Sequence, residues 1–148
     1  MALLGRIVVI VFALFLAAMA AGIAAAIGLL GLDLHASGPD PVNHVVFWGT
    51  AIVASGVTVV ACFLPVFIAV VLAEAFSVRS FVIHAAAGAA ILLLTYYGGF
   101  AHPYEESIDR APPPISREAE IAAAVGVGFG MTYWLIAGRN AGRWRQRV

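Results

Sequence analysis

The sequence has no lysine and few charges of either sign. Its eight basic residues are all arginine, charged residues make up 11% of the chain and the formal net charge is zero. A soluble domain has about 25% charged residues, and a nucleic-acid-binding domain shows a basic surface. The composition therefore argues against an ordinary soluble fold and against nucleic acid as a partner.

Cysteine and the common metal-binding spacings are also scarce. The one cysteine, Cys62, lies inside an apolar run and has no second cysteine for an intrachain disulfide. The chain contains no CxxCH, HxxxH or HExxH pattern. These spacings are the usual sequence signatures of haem attachment and zinc sites. The motifs thus predict no catalytic residue, no metal site and no cofactor.

Apolar residues are abundant instead, at 63% of the chain. A helix needs about 20 apolar residues to cross a hydrocarbon core of about 30 Å. Four runs meet that length, and they predict spans at residues 7–32, 45–73, 81–100 and 119–138. The predicted fold class is all-α: a polytopic membrane protein whose single domain is an antiparallel bundle of four transmembrane helices.

The first two apolar runs are longer than a single perpendicular crossing requires. The first apolar run continues well past Ala18-Met19-Ala20, whereas the apolar part of a signal peptide has about 7–15 residues, so we expect a span rather than a cleaved leader. The second run is too long for a perpendicular crossing. Pro65 lies inside it and predicts a bend, because proline removes one helical hydrogen bond.

The segments between the spans differ in charge. Residues 33–44 and 101–118 hold most of the acids, while the turn at 74–80 and the tail at 139–148 hold Arg79 and four arginines. Arginine-rich segments stay in the cytoplasm. We therefore expect two outer loops, one cytoplasmic turn, and both termini in the cytoplasm.

The turn between spans two and three is the first candidate site. Glu74, Arg79 and His84 are the ionisable residues of this hairpin, which brings them to similar depth. An ionisable group at the edge of a span suggests a functional site, because burying it unpaired is costly. The alternative is a structural anchor, in which the three residues pair and fix the turn.

Two histidines form a second candidate. His44 begins span two and His102 follows span three, so both are predicted near the outer interface. Histidines from two helices can bind a metal ion or haem iron. The alternative is that each simply occupies a helix end, since no ligand spacing accompanies them.

Small residues form the third pattern. Gly22 and Ala26 lie four residues apart in span one, and Gly126 and Gly130 form a GxxxG in span four. This spacing lets helix backbones approach closely in a membrane. We interpret these four residues as helix-packing positions. A phosphate loop is excluded, because no strand precedes the glycines and no lysine follows them.

Several short stretches resemble small inner-membrane proteins of α-proteobacteria. They are FLP at residues 63–65, LAEAF at 72–76 with VRS at 78–80, and YWLIAGR at 133–139. The resemblance covers spans two to four. It implies four spans and a location in the bacterial inner membrane, and it implies no activity.

Three functions fit these observations. The first is a non-enzymatic accessory or scaffolding protein that packs through small-residue faces and associates with itself or with a larger membrane complex, its only certain partner being the bilayer. The second is a small transporter or channel that uses Glu74. The third is a haem- or metal-binding anchor that uses His44 and His102.

Overall fold

The computed structural model describes residues 2–31, 41–100 and 116–142, and almost all of them are helical. No strand occurs in these three ranges. The four main helices are α1 (Ala2–Leu30), α2 (Pro41–Ala75), α3 (Phe81–Thr95) and α4 (Arg117–Ile136). A π-helical turn, Tyr96–Phe100, extends α3, and a 3₁₀ turn, Gly138–Asn140, follows α4.

All four helices, α3 together with part of its π-helical extension, are long and apolar enough to cross a membrane. The predicted all-α, polytopic bundle is therefore confirmed. The helices extend beyond the apolar runs at several ends: α1 begins at Ala2 and α2 begins at Pro41. The reason is that a helix continues into polar sequence until a capping or breaking residue stops it.

Helix α2 stays helical through Pro65 and ends at a defined cap. The amide of Val78 donates to the carbonyl of Ala73 over 2.9 Å, and Ser77 has a positive φ of 53°. This is the Schellman geometry, in which one left-handed residue reverses the chain after a helix. The residues from Phe76 to Ser80 then form a short elbow into α3.

The starts of α3 and α4 differ in their caps. Ser116 caps α4, since its hydroxyl accepts a hydrogen bond from the amide of Ala119 at 3.2 Å. Glu118 and Glu120 lie in the first turn, where negative charge complements the helix dipole. Ser80 precedes α3 but makes no side-chain capping bond.

The helices are arranged in chain order around the bundle, and α3 and α4 approach most closely. A Cβ added at Gly88 would overlap the carbonyl oxygen of Gly126, and one added at Gly126 would overlap that of Gly88. A Cβ at Gly130 would overlap the carbonyl of His84. The two backbones therefore touch without intervening side chains, as small residues allow in membrane helices.

Helix α1 packs on both α4 and α2 through small residues. Its alanines form one core with three large residues of α4: Ala13, Ala17, Ala18, Ala21, Val125, Phe129 and Tyr133. On its other side, Gly22 lies against Ala51 and Ser55 of α2, and Ala26 is fully buried beside Phe47. Helix α1 is thus held between two neighbours.

The fourth side of the bundle, between α2 and α3, is open. These helices meet at the elbow that joins them and where the Cys62 thiol lies 3.4 Å from the Thr95 hydroxyl. Between the two points the helices diverge and leave a groove. The bundle therefore has three packed sides and one open side.

Candidate functional site

Several charged and polar residues converge at one end of the bundle, next to the elbow. Arg6 comes from α1, Glu74 from the last turn of α2, and Arg79 from the elbow. Residues 137–142, which follow α4, fold back among them. We call Arg6, Glu74, Arg79 and this C-terminal segment the polar cluster.

An ion pair between Arg6 and Glu74 lies at the centre of the polar cluster. The Nε and Nη2 atoms of Arg6 both donate to Oε1 of Glu74, the former over 3.0 Å. The two side chains are only 10% and 13% exposed. Arg6 Nη2 also donates to the carbonyl of Ala137 at 2.8 Å. One guanidinium therefore ties α1 to α2 and to the end of α4.

The other carboxylate oxygen of Glu74 holds the C-terminal segment. Oε2 accepts a hydrogen bond from the amide of Gly142 at 3.0 Å. Arg79 Nε donates to the carbonyl of Ala141, also at 3.0 Å. Gly142 has a positive φ of 72°, and a Cβ there would overlap the hydroxyl of Ser77. Glycine is thus required at this position both for its conformation and for its contact with the elbow.

Trp134 fixes the elbow from the side of α4. Its indole nitrogen donates to the carbonyl of Arg79 at 2.7 Å, and its ring packs edge-on against Phe81 with centroids 5.3 Å apart. The backbone of Arg79 is therefore held by α4 while its side chain holds the C-terminal segment. Through these two hydrogen bonds, from Trp134 to the Arg79 carbonyl and from Arg79 to the Ala141 carbonyl, α4 and the segment that follows it hold the elbow in place.

His84 and Tyr133 lie just beneath the polar cluster, stacked with ring centroids 5.7 Å apart. His84 Nδ1 lies 2.8 Å from the carbonyl of Ser80. The other ring nitrogen, Nε2, packs near Gly138, and neither Nε2 nor the Tyr133 hydroxyl has a hydrogen-bond partner among the described residues. Both side chains are buried. Buried polar atoms of this kind are rare in folded proteins.

The three residues of the predicted elbow cluster thus lie at the same end of the bundle but have separate partners. Glu74 pairs with Arg6, Arg79 donates to Ala141, and His84 Nδ1 bonds to Ser80. Sequence reasoning missed Arg6 as the ion-pair partner. The available signal was its position: Arg6 was predicted on the same side of the membrane as Glu74.

The predicted histidines and the predicted small residues lie in different parts of the molecule. His44 lies exposed in the first turn of α2, and His102 lies outside the described residues. Within residues 2–31, 41–100 and 116–142, no group of three or more His, Cys, Asp or Glu residues could hold a metal ion. The glycines lie at helix contacts: Gly22 faces α2, whereas Gly126 and Gly130 face α3. Ala26 lies at the contact between α1 and α2.

The groove between α2 and α3 begins directly below the elbow. It has a volume of about 250 Å³, and residues of α2 and α3 form its walls while Phe129, Gly130 and Tyr133 of α4 form its floor. His84 and Tyr133 are the two lining residues with polar side chains. A second cavity of about 90 Å³ shares Val66, Leu92 and Phe129 with the groove, which places it next to the groove on the side away from the elbow.

Chemically, the polar cluster is suited to holding the chain together. Both oxygens of the Glu74 carboxylate accept bonds from protein donors, and Arg6 and Arg79 each donate to a backbone carbonyl. The groove, in contrast, has an apolar surface, and two of the residues that line it, His84 and Tyr133, each have a buried polar atom without a hydrogen-bond partner among the described residues. No protein-family model, curated protein or solved structure matches this chain.

Proposed function

We propose that this integral membrane protein is a non-enzymatic accessory or scaffolding component of a bacterial inner membrane, with both termini in the cytoplasm. The arginine bias of the sequence supports this orientation, because it puts Arg6, Arg79 and the C-terminal arginines on one side. In this orientation the polar cluster lies at the cytoplasmic interface. There it acts as an anchor that fixes the ends of α1, α2 and α4 relative to one another.

One observation carries this proposal: both carboxylate oxygens of Glu74 are used in structural bonds. Oε1 accepts from Arg6 and Oε2 from the amide of Gly142. A carboxylate that carries protons through a transport cycle must lose and regain its charge. Loss of the negative charge on Glu74 would remove its ion pair with Arg6 and weaken the bond to the C-terminal segment. The anchor role therefore fits the geometry better than a transporter that uses Glu74.

The proposed partner is a second copy of the chain or another membrane protein, in addition to the bilayer. The small-residue faces are already used within the chain, since Gly22 contacts α2 while Gly126 and Gly130 contact α3. We therefore place association on the outer flank of α2 rather than on those faces. That flank carries large exposed side chains, among them Val53, Val60 and Leu64.

The proposal is tested with Glu74→Gln and Glu74→Leu, purified and reconstituted into liposomes beside the wild type. We measure thermal stability in detergent and the flux of protons and small ions in the liposomes. The anchor role predicts no Glu74-dependent flux and a loss of stability that is larger for Leu than for Gln. A wild-type flux that Glu74→Gln abolishes, with stability unchanged, would contradict the proposal and favour the transporter.

A second measurement addresses the haem or metal alternative. The native protein is purified in mild detergent, and its visible absorption spectrum, metal content and stoichiometric partners are recorded. We expect no Soret band and no bound metal. A Soret band that His44→Ala and His102→Ala each remove would instead show an anchor that uses these histidines.

A further inference from the structure

The groove between α2 and α3 has the features of a binding site for a membrane-soluble ligand. Its walls are apolar, it is open towards the bilayer side of the bundle, and it reaches the bundle centre at Phe129 and Tyr133. His84 and Tyr133 are 8% and 4% exposed, and each has a polar atom with no protein partner among the described residues. A buried polar atom without a hydrogen-bond partner is unfavourable, and a ligand that supplies the partner gains from it. The two atoms belong to the same stacked pair of rings.

The hydrogen bond to Ser80 defines what His84 can accept. The carbonyl of Ser80 can only accept, so the nitrogen 2.8 Å from it, Nδ1, carries the proton. In a neutral imidazole the other nitrogen, Nε2, then has a free lone pair and is an acceptor. The Tyr133 hydroxyl can donate. A ligand group that satisfies both atoms must therefore donate one hydrogen bond and accept another, and a single hydroxyl does both.

The size of the groove restricts its occupant. A helix is about 10 Å across with its side chains, so a stretch of helix needs far more space than the 250 Å³ available. Small-molecule pockets begin at about 300 Å³, which is close to the volume of this groove. The groove therefore has room for a small ligand and not for a helix. The adjoining cavity beside Val66 and Leu92 provides further apolar space for a hydrocarbon tail.

We propose that the groove binds a neutral lipid alcohol, that is, an amphiphile with a hydrocarbon tail and a single uncharged hydroxyl group. The hydroxyl donates to Nε2 of His84 and accepts from the hydroxyl of Tyr133, while the tail lies between α2 and α3 along Val70, Ala87 and Ile91. Both polar atoms have almost no exposed surface, so binding requires the two rings to turn towards the groove. This site is separate from the polar cluster, so the proposal does not depend on the accessory function.

The test uses two isomeric probes, dodecan-1-ol and 1-methoxyundecane, and the purified full-length protein in detergent. The two probes have the same composition, but only the alcohol can donate a hydrogen bond. Affinity is measured from the shift in melting temperature as a function of probe concentration. We expect the alcohol to bind about fivefold more tightly than the ether, as one net hydrogen bond provides about that factor.

Two substitutions separate the roles of the rings. Tyr133→Phe removes the donor that both probes use, so it should weaken both about fivefold and keep the preference for the alcohol. His84→Phe removes the acceptor and should abolish that preference. Tyr97→Phe, at an exposed tyrosine outside the groove, should change neither affinity. The probe-free Tyr133→Phe protein should melt no lower than the wild type, because the variant loses a buried hydroxyl that has no partner.

Other outcomes overturn the proposal. Equal binding of alcohol and ether by the wild type would show that the groove accepts any hydrocarbon chain and that no hydrogen bond to His84 contributes to binding. Absence of saturable binding would leave the groove to a protein partner. A preference for the alcohol that persists in His84→Phe would place the hydroxyl elsewhere.

Discussion

Helix α3 has two very different neighbours. Against α4 its backbone is in direct contact, because Gly88 meets Gly126 and the carbonyl of His84 meets Gly130. Against α2 it makes few contacts: the two helices meet at the elbow and near Thr95, and a groove lies between these points. Both interfaces are apolar, so hydrophobicity does not distinguish them. The difference is the side-chain volume between the backbones: glycines let α3 and α4 approach closely, whereas larger residues, among them Val66, Val70 and Ile91, line the groove between α2 and α3.

The largest expected effect comes from filling the tight interface. Gly126→Ile should cost at least about 3 kcal/mol and prevent assembly of the bundle, because the new side chain meets the backbone of Gly88 and Ala89, which cannot move aside. The matched control is Gly128→Ile, two residues away on the same helix, where a Cβ meets nothing within 4 Å. Unfolding free energy in mixed micelles measures both. Equal stability of the two variants would show that α3 and α4 are not in close contact at Gly126.

The second-largest effect concerns the ion pair between Arg6 and Glu74, which holds α1 and α2 together at the elbow end of the bundle. Glu74→Leu leaves the guanidinium of Arg6 buried without its carboxylate, and loss of one partner of a buried pair costs about 3 kcal/mol or more. Glu74→Gln keeps hydrogen bonding and should cost about 1 kcal/mol. Thermal unfolding of both is compared with Glu118→Leu, at an exposed carboxylate in the first turn of α4. If Glu74→Leu is no worse than Glu118→Leu, the ion pair does not anchor the helices.

A smaller effect concerns the C-terminal segment. Gly142→Ala should cost about 2 kcal/mol, because alanine is strained at a φ of 72° and its Cβ would overlap the Ser77 hydroxyl. Gly31→Ala is the control: its φ is 78°, but nothing lies within 4 Å of the added Cβ, so only the strain of about 1 kcal/mol remains. The difference in unfolding free energy between the two variants measures the contact with the elbow. Identical losses would mean that residues 137–142 do not rest on the elbow.

The smallest effect is expected on the open side. Ala87→Leu adds three carbons to a residue that lines the groove, and the groove can accommodate them. We expect a change in unfolding free energy of no more than about 0.5 kcal/mol. A loss comparable to that of Gly126→Ile would show that α2 and α3 are closely packed.

The sequence predicts the number of helices and their approximate positions, because length and hydropathy alone decide whether a segment can cross a membrane. It does not predict the groove. In a membrane helix the residues that face lipid and those that face the core are both apolar, so no periodicity tells Ala87 from Ala89. The GxxxG of α4 likewise indicates a close contact without identifying α3 as the partner.

The sequence predicts only part of the polar cluster, for a related reason. A hairpin brings Glu74, Arg79 and His84 to one end because they are near in sequence. The ion pair instead forms between α1 and α2, with Arg6 and Glu74 far apart along the chain. Charge and topology restrict such a pairing to one side of the membrane, but the lateral arrangement of the helices selects the partner. The Gly142 amide carries no sequence signal, since any residue other than proline has one.

The packing of α3 on one side and its exposure on the other are tested most directly by comparing the reactivity of cysteines at positions 87 and 89. In a Cys62→Ser background, Ala87→Cys and Ala89→Cys are each reconstituted into liposomes and treated with N-phenylmaleimide. Each rate is divided by the rate in unfolding detergent. Ala87 lines the groove, whereas the Cα of Ala89 lies against Gly126. We expect position 87 to react faster than position 89, and equal normalised rates would contradict an open side between α2 and α3.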